Sequence, residues 1–491
     1  MNLLNNDVAI HFIKDKSYLN EMPFDPPEAY PEYQGKNVNP RNRIYAGIRD
    51  LFIGLGLDKE NLGSENWNPL KDIVKPGMTV FVKPNTVRHF HVDGKDVLSV
   101  IVHASIVRPI LDYICIALKG EGRIILGDSQ VIFGRFEPAW KHAQLDKLVS
   151  WYQTQVNIPI ECYDLRIVEG TRTYLYGKWG RRKVEQDPRG YTFVNLSDLS
   201  AFRDVDPKRL RIGIASHKNM YKHHSGGKHE YLIPNSFLAS DVVINIPKFK
   251  THRRTAITLA QKCFVGMPAW KDTLPHFTTG SVEEGGDQYI HKSLRKQIGT
   301  HLHDYIQTTP YIPLKFITAV AKKLLWNSKF IVPFKDDIYE AMWHGNNTLW
   351  RMLIDLNRIA FYADKHGVIQ DAPQRDHFCV IDGIIGGEKN GPVNVDPVPL
   401  GLLMAGYNAV SMDAAGATLM GFDINKIPIV TKSMATKTER SPLFTGEAED
   451  IKIYDGETQY PMTEMPQHRN LKFEPHPGWK GNIELEDSLS N

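Results

Sequence analysis

The chain has 491 residues, 42% of them hydrophobic and 23% charged, with 59 Lys and Arg against 56 Asp and Glu. Such a length allows two domains or one elaborated domain with ample core, and the composition is ordinary for a folded globular protein. A formal charge of +3 provides no global field to draw in a polyanion. No RNP-like, zinc-finger or helix-turn-helix pattern occurs either, so nucleic acid is not an expected partner.

The four cysteines, Cys115, Cys162, Cys263 and Cys379, are far apart in sequence. No Cys-x-x-Cys occurs, so no iron–sulfur cluster is expected, and Cys115 and Cys379 read as packed core thiols. The opening MNLLNNDVAIHF lacks a basic stretch followed by a long apolar run. No secretory signal is expected from it, and the expected location is cytoplasmic. No stretch is apolar for long enough to predict a transmembrane segment. Residues 311–334 mix apolar residues, Lys and Trp. They read either as a helix docked on its own domain or as a peripheral contact with a membrane surface.

In chain order, residues 7–13 predict a strand, and 40–55 a helix with Asn39 as its cap and Gly56 as its stop. Strands follow at 78–82 and 123–126, separated by a helix at 105–118. The alternation continues through strands at 159–165 and 241–246. Residues 268–341 break this rhythm and read as an insertion or lid. A helix at 347–362, strands at 378–381 and 401–404, and a small-residue helix at 409–420 resume it. The expected architecture is α/β: a mostly parallel sheet with flanking helices, an inserted lid-like region and an irregular C-terminal tail. The corresponding division is a core in two parts, 1–267 and 342–431, with the insertion at 268–341 and the extension at 432–491.

Several polar turns fall just beyond predicted strand ends. They are Lys83-Pro84-Asn85, Asp128-Ser129-Gln130, the run Lys248-x-Lys250-x-His252, and Asp382-Gly383. In a parallel sheet these tips share one edge, where α/β proteins bind ligands. A second basic cluster, Lys222, His223, His224, Lys228 and His229, surrounds the turn Ser225-Gly226-Gly227. Lys83, Asn85, Lys228, Lys248, Lys250 and Lys262 are the candidate substrate-binding residues, suited to a small-molecule anion. Lys262 is predicted on a helix running from 255 to about 266, where a cation also complements the helix dipole. His252, His224 and His276 are the candidate catalytic residues, because a neutral imidazole takes up or returns a proton near pH 7. Asp128 and Asp382 are the candidate ligands of a divalent metal or a substrate hydroxyl. Asp413 is another candidate, although an acid in the first turns of a helix also serves its dipole. Arg351 and Asp355, four residues apart, predict an ion pair on one helical face. No Walker loop, Gly-x-Ser-x-Gly elbow or Gly-x-Gly-x-x-Gly is present.

Three segments, VKPGMTVFVKPNTVRH, ASDVVINIPKFKTHRRTAITLAQKCFVG and VIDGIIGGEKNGP with the GLLMAGYNAVSMDAAGATLMGFDINKIP that follows, resemble the family catalogued as domain of unknown function 362. The resemblance spans residues 74–428 and is closest to a cluster-free subgroup lacking the ferredoxin-like domain that some members append. It implies an enzyme associated with biosynthesis, of unassigned reaction class. The chain departs from the family pattern at three places. Asp-Ser-Gln follows Gly127 in place of Asp-Ala-Pro, Cys263 follows Lys262 where Asn is common, and Ala256 stands where Gly is usual. A shorter stretch, His224-Ser225-Gly226-Gly227-Lys228, is similar to a loop of the nickel-pincer lactate racemases. The expectation is an enzyme acting on a hydroxy acid, a sugar acid or a phosphorylated biosynthetic intermediate. The alternative is a non-catalytic ligand-binding or assembly protein, peripheral to a membrane. The cofactor is left open, with a divalent metal allowed.

Overall fold

A computed structural model describes residues 4–33, 35, 37–175, 178–328, 336 and 338–486. Its centre is one mixed sheet whose strands, in chain order, are β1 (Val8–Phe12), β2 (Thr79–Pro84), β3 (Arg123–Asp128), β4 (Ile160–Asp164), β5 (Val242–Ile246), β6 (Lys248–His252), β7 (Ala256–Thr258), β8 (Asp376–Asn390), β9 (Asn394–Gly406), β10 (Lys452–Asp455) and β11 (Thr458–Pro461). Across the sheet the order is β11-β10-β1-β9-β8-β5-β2-β3-β4. The run from β8 to β4 is wholly parallel, with Val242 opposite Val80 and Thr79 opposite Arg123. The antiparallel partners lie mainly on the other side, where β9 pairs with both β8 and β1.

Alternation of side chains along these strands divides the core into two layers. Val80, Val82, Ile124, Leu126, Val242 and Ile244 pack on one face under the helices Arg43–Gly54, Ala104–Leu118 and Leu145–Gln155. Phe81, Ile125 and Val243 face the other way, toward the helices Leu349–Tyr362 and Ala409–Leu419. The strands are apolar on both sides because both are covered. C-terminal to 432 the chain is largely irregular, with β10 and β11 extending the sheet beyond β1.

Local details correct three expectations. The cap of the first helix is Asn42, which accepts from the Tyr45 N–H at 3.2 Å, while the Asn39 side chain instead holds the Arg41 N–H. No helix runs from 255: the β-branched Thr255, Ile257 and Thr258 favour a strand, so β7 turns back on β6 and only Ala260–Cys263 is helical. Ala256 has φ +63°, a left-handed backbone position that favours glycine. Arg351 pairs with Asp204 at 2.7 Å and not with Asp355, which is buried and accepts from Ser200 Oγ, the Ala201 N–H and Tyr231 OH.

Lys248 and Asp382 face each other in register across β6 and β8 and form a fully buried pair at 3.1 Å. Tyr18 OH donates to Asp382 Oδ1 at 2.7 Å and accepts from Lys248 Nζ, which ties the N-terminal loop to the sheet. This corrects the reading of Lys248 as a substrate lysine and of Asp382 as a metal ligand, since each already spends its charge on the other. Lys248→Met is expected to destabilise the chain by about 3–5 kcal/mol, because it leaves the Asp382 carboxylate buried without its cation. Urea unfolding of the variant and the parent checks this, and an unchanged midpoint would assign the pair no structural weight.

Candidate active site

The C-terminal ends of β2, β3 and β6 open into a cavity of about 170 Å³. Of the residues singled out in sequence, Lys83, Asn85, Asp128, Lys250, His252, Lys262 and His276 all line it. Its floor is an ion pair between strand ends, Lys83 Nζ to Asp128 Oδ1 at 2.8 Å, both side chains essentially inaccessible to solvent. Asp128 Oδ2 accepts from the Thr86 N–H at 2.9 Å and from Thr86 Oγ1 at 2.8 Å. With its oxygens occupied by internal donors and Asp382 engaged with Lys248, the two carboxylates do not form the metal site expected of them. Among the described residues no group of three or more His, Cys, Asp or Glu side chains is placed to hold a metal ion.

Charge is unbalanced in this cavity. Lys83, Lys250, Arg253, Arg254, Lys262 and Lys271 face Asp128 and Glu340 as the carboxylates among its described lining. Asp128 serves Lys83, and Glu340 serves Arg254 at 2.9 Å. Lys250 Nζ donates to the Val100 carbonyl at 2.6 Å and Lys271 Nζ to the Val265 carbonyl at 2.5 Å, so neither has a counter-ion there. Arg253 Nε is buried without a partner. Lys262 has no hydrogen-bond partner among the described residues, and burial beside Arg254 pulls its pKa down to about 7. Burial also drives Lys250 and Lys271 well below the ordinary lysine value. Cationic side chains this poorly compensated in low dielectric are poised to gain from an incoming anion.

Backbone contacts assign opposite tautomers to the two imidazoles. His252 Nδ1 accepts from the Arg254 N–H at 3.0 Å, which places the ring proton on Nε2. His276 Nδ1 lies 2.8 Å from the Leu274 carbonyl and must donate to it, which leaves Nε2 as an acceptor. Burial, reinforced by Lys262, Arg253 and Arg254, holds both well below the usual imidazole range and hence neutral. The cavity therefore offers one imidazole as a donor and one as a base.

Asp413 positions Lys262. From the helix Ala409–Leu419 it accepts from the Ala260 N–H at 2.6 Å, the Gln261 N–H at 3.3 Å and Gln261 Nε2 at 3.0 Å. It thereby satisfies the exposed N–H groups of the short helix that carries Lys262. Burial raises its pKa to about 7 against these bonds. The Cys263 thiol lies 3.6 Å from Lys83 Nζ, and burial pushes it up to about 11, so it is no ready nucleophile.

The other basic cluster lies elsewhere. His224 is buried with Nε2 on the Thr273 carbonyl at 2.8 Å and Nδ1 near His229 at 3.3 Å, and burial lowers its pKa to about 3. Lys228 is exposed, 3.7 Å from Glu230. Neither lines the cavity, which corrects their assignment as catalytic and substrate-binding residues of this site: His224 is spent on internal partners and Lys228 lies beside Glu230. Conversely, sequence reading missed Arg253, Arg254, Lys271 and Glu340. The two arginines follow His252 directly, and that continuation of a basic strand end was a usable signal. A roomier cleft of about 1080 Å³ lies near Arg108, but this guanidinium is already paired with Asp112 at 3.1 Å and Asp25 at 3.6 Å.

The family profile described as a domain of unknown function (DUF362) matches residues 209–418, a span that includes Lys250, His252, Lys262 and Asp413. Those residues belong to the DUF362 family. Lys83 and Asp128 lie upstream of the DUF362 match, on strands that flank it in the same sheet. No curated protein matches the chain. A crystal structure of a Thermotoga maritima protein, solved by a structural genomics consortium, is 10% identical with a TM-score of 0.28. The alignment covers 75% of this chain and 56% of that one, so the chain spans little more than half of its length.

Gly266 closes the floor within the DUF362 segment. A methyl group there would collide with Asp128 Oδ1 and Lys83 Nζ, and its carbonyl accepts from the Ser129 N–H at 2.7 Å. Gly266→Ala is expected to force the pair apart and cost about 1–3 kcal/mol of stability. Chemical denaturation measures that cost, and a variant as stable as the parent would mean that the floor yields freely.

Proposed function

We propose that the chain is an enzyme acting on a small anion, such as a hydroxy acid, a sugar acid or a phosphorylated intermediate, bound in the strand-end cavity. The observation that carries this reading is the charge imbalance, above all Arg253, whose Nε is buried without a hydrogen-bond partner, and Lys262, which has no hydrogen-bond partner among the described residues. In this reading Lys262, Arg253 and Lys250 hold the anionic group, and the Lys83–Asp128 pair fixes the floor. His276 Nε2 takes a proton from a substrate carbon or hydroxyl, and His252 Nε2–H donates a hydrogen bond to the oxygen on which charge develops. Asn85 is available to orient a hydroxyl.

Sulfate, a dianion throughout the neutral range, tests the anion site without titrating itself. Lys262 is half protonated near pH 7 in the free protein, whereas both imidazoles are already neutral there. Raising the pH through about 7 removes the Lys262 charge, so sulfate affinity is expected to fall by up to roughly tenfold per unit. Lys262→Met should bind weakly and without this dependence. Isothermal titration across the range checks both, and affinity independent of pH in the parent would remove Lys262 from the site.

A specific observation favours membrane contact as well. The helix Ile312–Asn327 contains no acidic residue and buries none of its side chains. Ile312, Ile317 and Leu324 are 57%, 61% and 66% exposed, and Leu314 and Val320 are exposed beside them, with Lys315 and Lys323 on the same helix. Residues 329–335 lie outside the described residues, so the reading of 311–334 is carried by the helix alone. No helix of the described chain is long and apolar enough to cross a membrane. An exposed apolar stripe with flanking lysines suits the surface of an anionic bilayer. The chain is expected to float with phosphatidylserine-containing vesicles and not with phosphatidylcholine alone, and Lys315→Glu/Lys323→Glu should abolish flotation. Equal recovery of parent and variant would defeat this reading.

A further inference from the structure

The anion-site reading leaves most of the cavity wall unused. Fully buried Lys83, Asp128, Lys250 and His252 form its inner end. Val87, Val131, Phe133, Ile214, Val265 and Val393 are each partly exposed and face the same space nearer the solvent. A tetrahedral oxyanion needs the volume of only a few waters, whereas a cavity of about 170 Å³ holds on the order of ten. An apolar wall left against water gains nothing, but one covered by ligand contributes to affinity.

We infer that the ligand is an amphiphilic anion, a phosphate or carboxylate bearing an aryl or branched alkyl group. Its charged end meets the lysines and Arg253, and its apolar end covers Phe133, Val131 and Ile214. This rests on the anion-site reading and specifies its substrate class. Hydroxyls laid against these six aliphatic and aromatic side chains would lose water without gaining a partner on them, while Asn85, Ser129 and Thr258 in the same lining can still meet a hydroxyl elsewhere on the ligand.

The wall itself is held in place from several directions. Val131 donates its N–H to the Val87 carbonyl at 3.3 Å, which joins the segments following β2 and β3. The Gly213 carbonyl, between Ile212 and Ile214, accepts from His303 Nε2 at 2.7 Å. Arg211 is paired at 2.9 Å with Asp304, which follows His303 on the helix Leu294–Thr308. The apolar end is therefore a preorganised surface that a ligand covers without first ordering it.

The test is a titration of the intact chain with inorganic phosphate, methyl phosphate, butyl phosphate and phenyl phosphate, beside acetate, valerate and benzoate. Within each series the Kd is expected to fall by roughly fourfold per buried methylene, with the phenyl ligand at least tenfold tighter than the methyl one. The better of the two series identifies the anionic group. Phe133→Ser and, independently, Ile214→Ser should erase the preference while leaving inorganic phosphate or acetate at its parental Kd. Equal affinity along both series would overturn the amphiphile and leave the anion site intact. If no member of either series binds, inorganic phosphate included, the anion site falls together with the inference.

Discussion

The Lys83–Asp128 pair is the constraint around which the cavity is built. Each partner sits at the C-terminal end of its own parallel strand, and burial of both charges carries a desolvation cost that only close geometry and further hydrogen bonds offset. Thr86 supplies two of those bonds. Gly266 comes within a missing side chain's width of both ions. Ser129 then links the strand end to the segment after Cys263, giving its N–H to Gly266 and its hydroxyl to the Pro268 carbonyl at 2.7 Å. One pair thereby sets the spacing between β2, β3 and the short helix that presents Lys262.

Around that neutral floor the remaining charge does not cancel. Lysines that donate only to backbone carbonyls have no counter-ion in those bonds, and burial makes each charge costlier to hold because little water is present to screen it. Burial is the main cause of the lowered lysine and imidazole values, and the neighbouring cations add to it at Lys262, His252 and His276. An anion entering the cavity would reverse the sign of that interaction for every group at once. Binding and protonation are therefore coupled here, with Lys262 pulled down to about 7.

Much of this was legible before the structure, for definite reasons. Strand-end turns are short and polar, and a parallel sheet places their ends together, so Lys83, Asp128 and Lys250 could be grouped from sequence. Lys248 could not be separated from Lys250, because residues two apart share a face on a regular strand. The register of β6 against β8 shifts between them, from Lys248 opposite Asp382 to Lys250 opposite Gly387. That irregularity leaves Lys248 on its buried partner while Lys250 reaches the cavity. The helix expected from 255 failed for a similar reason, since only pairing with β6 decides that the Ala256–Thr258 segment extends. Lys271 and Glu340 are 69 residues apart in sequence, and nothing local announces that both return to the same wall.

Residues 268–341 join the cavity to the exposed helix in a continuous set of contacts. Lys322 Nζ donates to His303 Nδ1 at 2.9 Å, and His303 donates through Nε2 to Gly213, between two residues of the apolar rim. Glu340, downstream of the hairpin formed by Leu294–Thr308 and Ile312–Asn327, holds Arg254 and so the backbone N–H that fixes the His252 tautomer. Under the two proposals, the exposed helix and the apolar cavity wall are thus parts of one packed unit. An amphiphilic anion would suit both, because the group that partitions toward a bilayer is also the group that covers the wall, while its charged end meets the lysines.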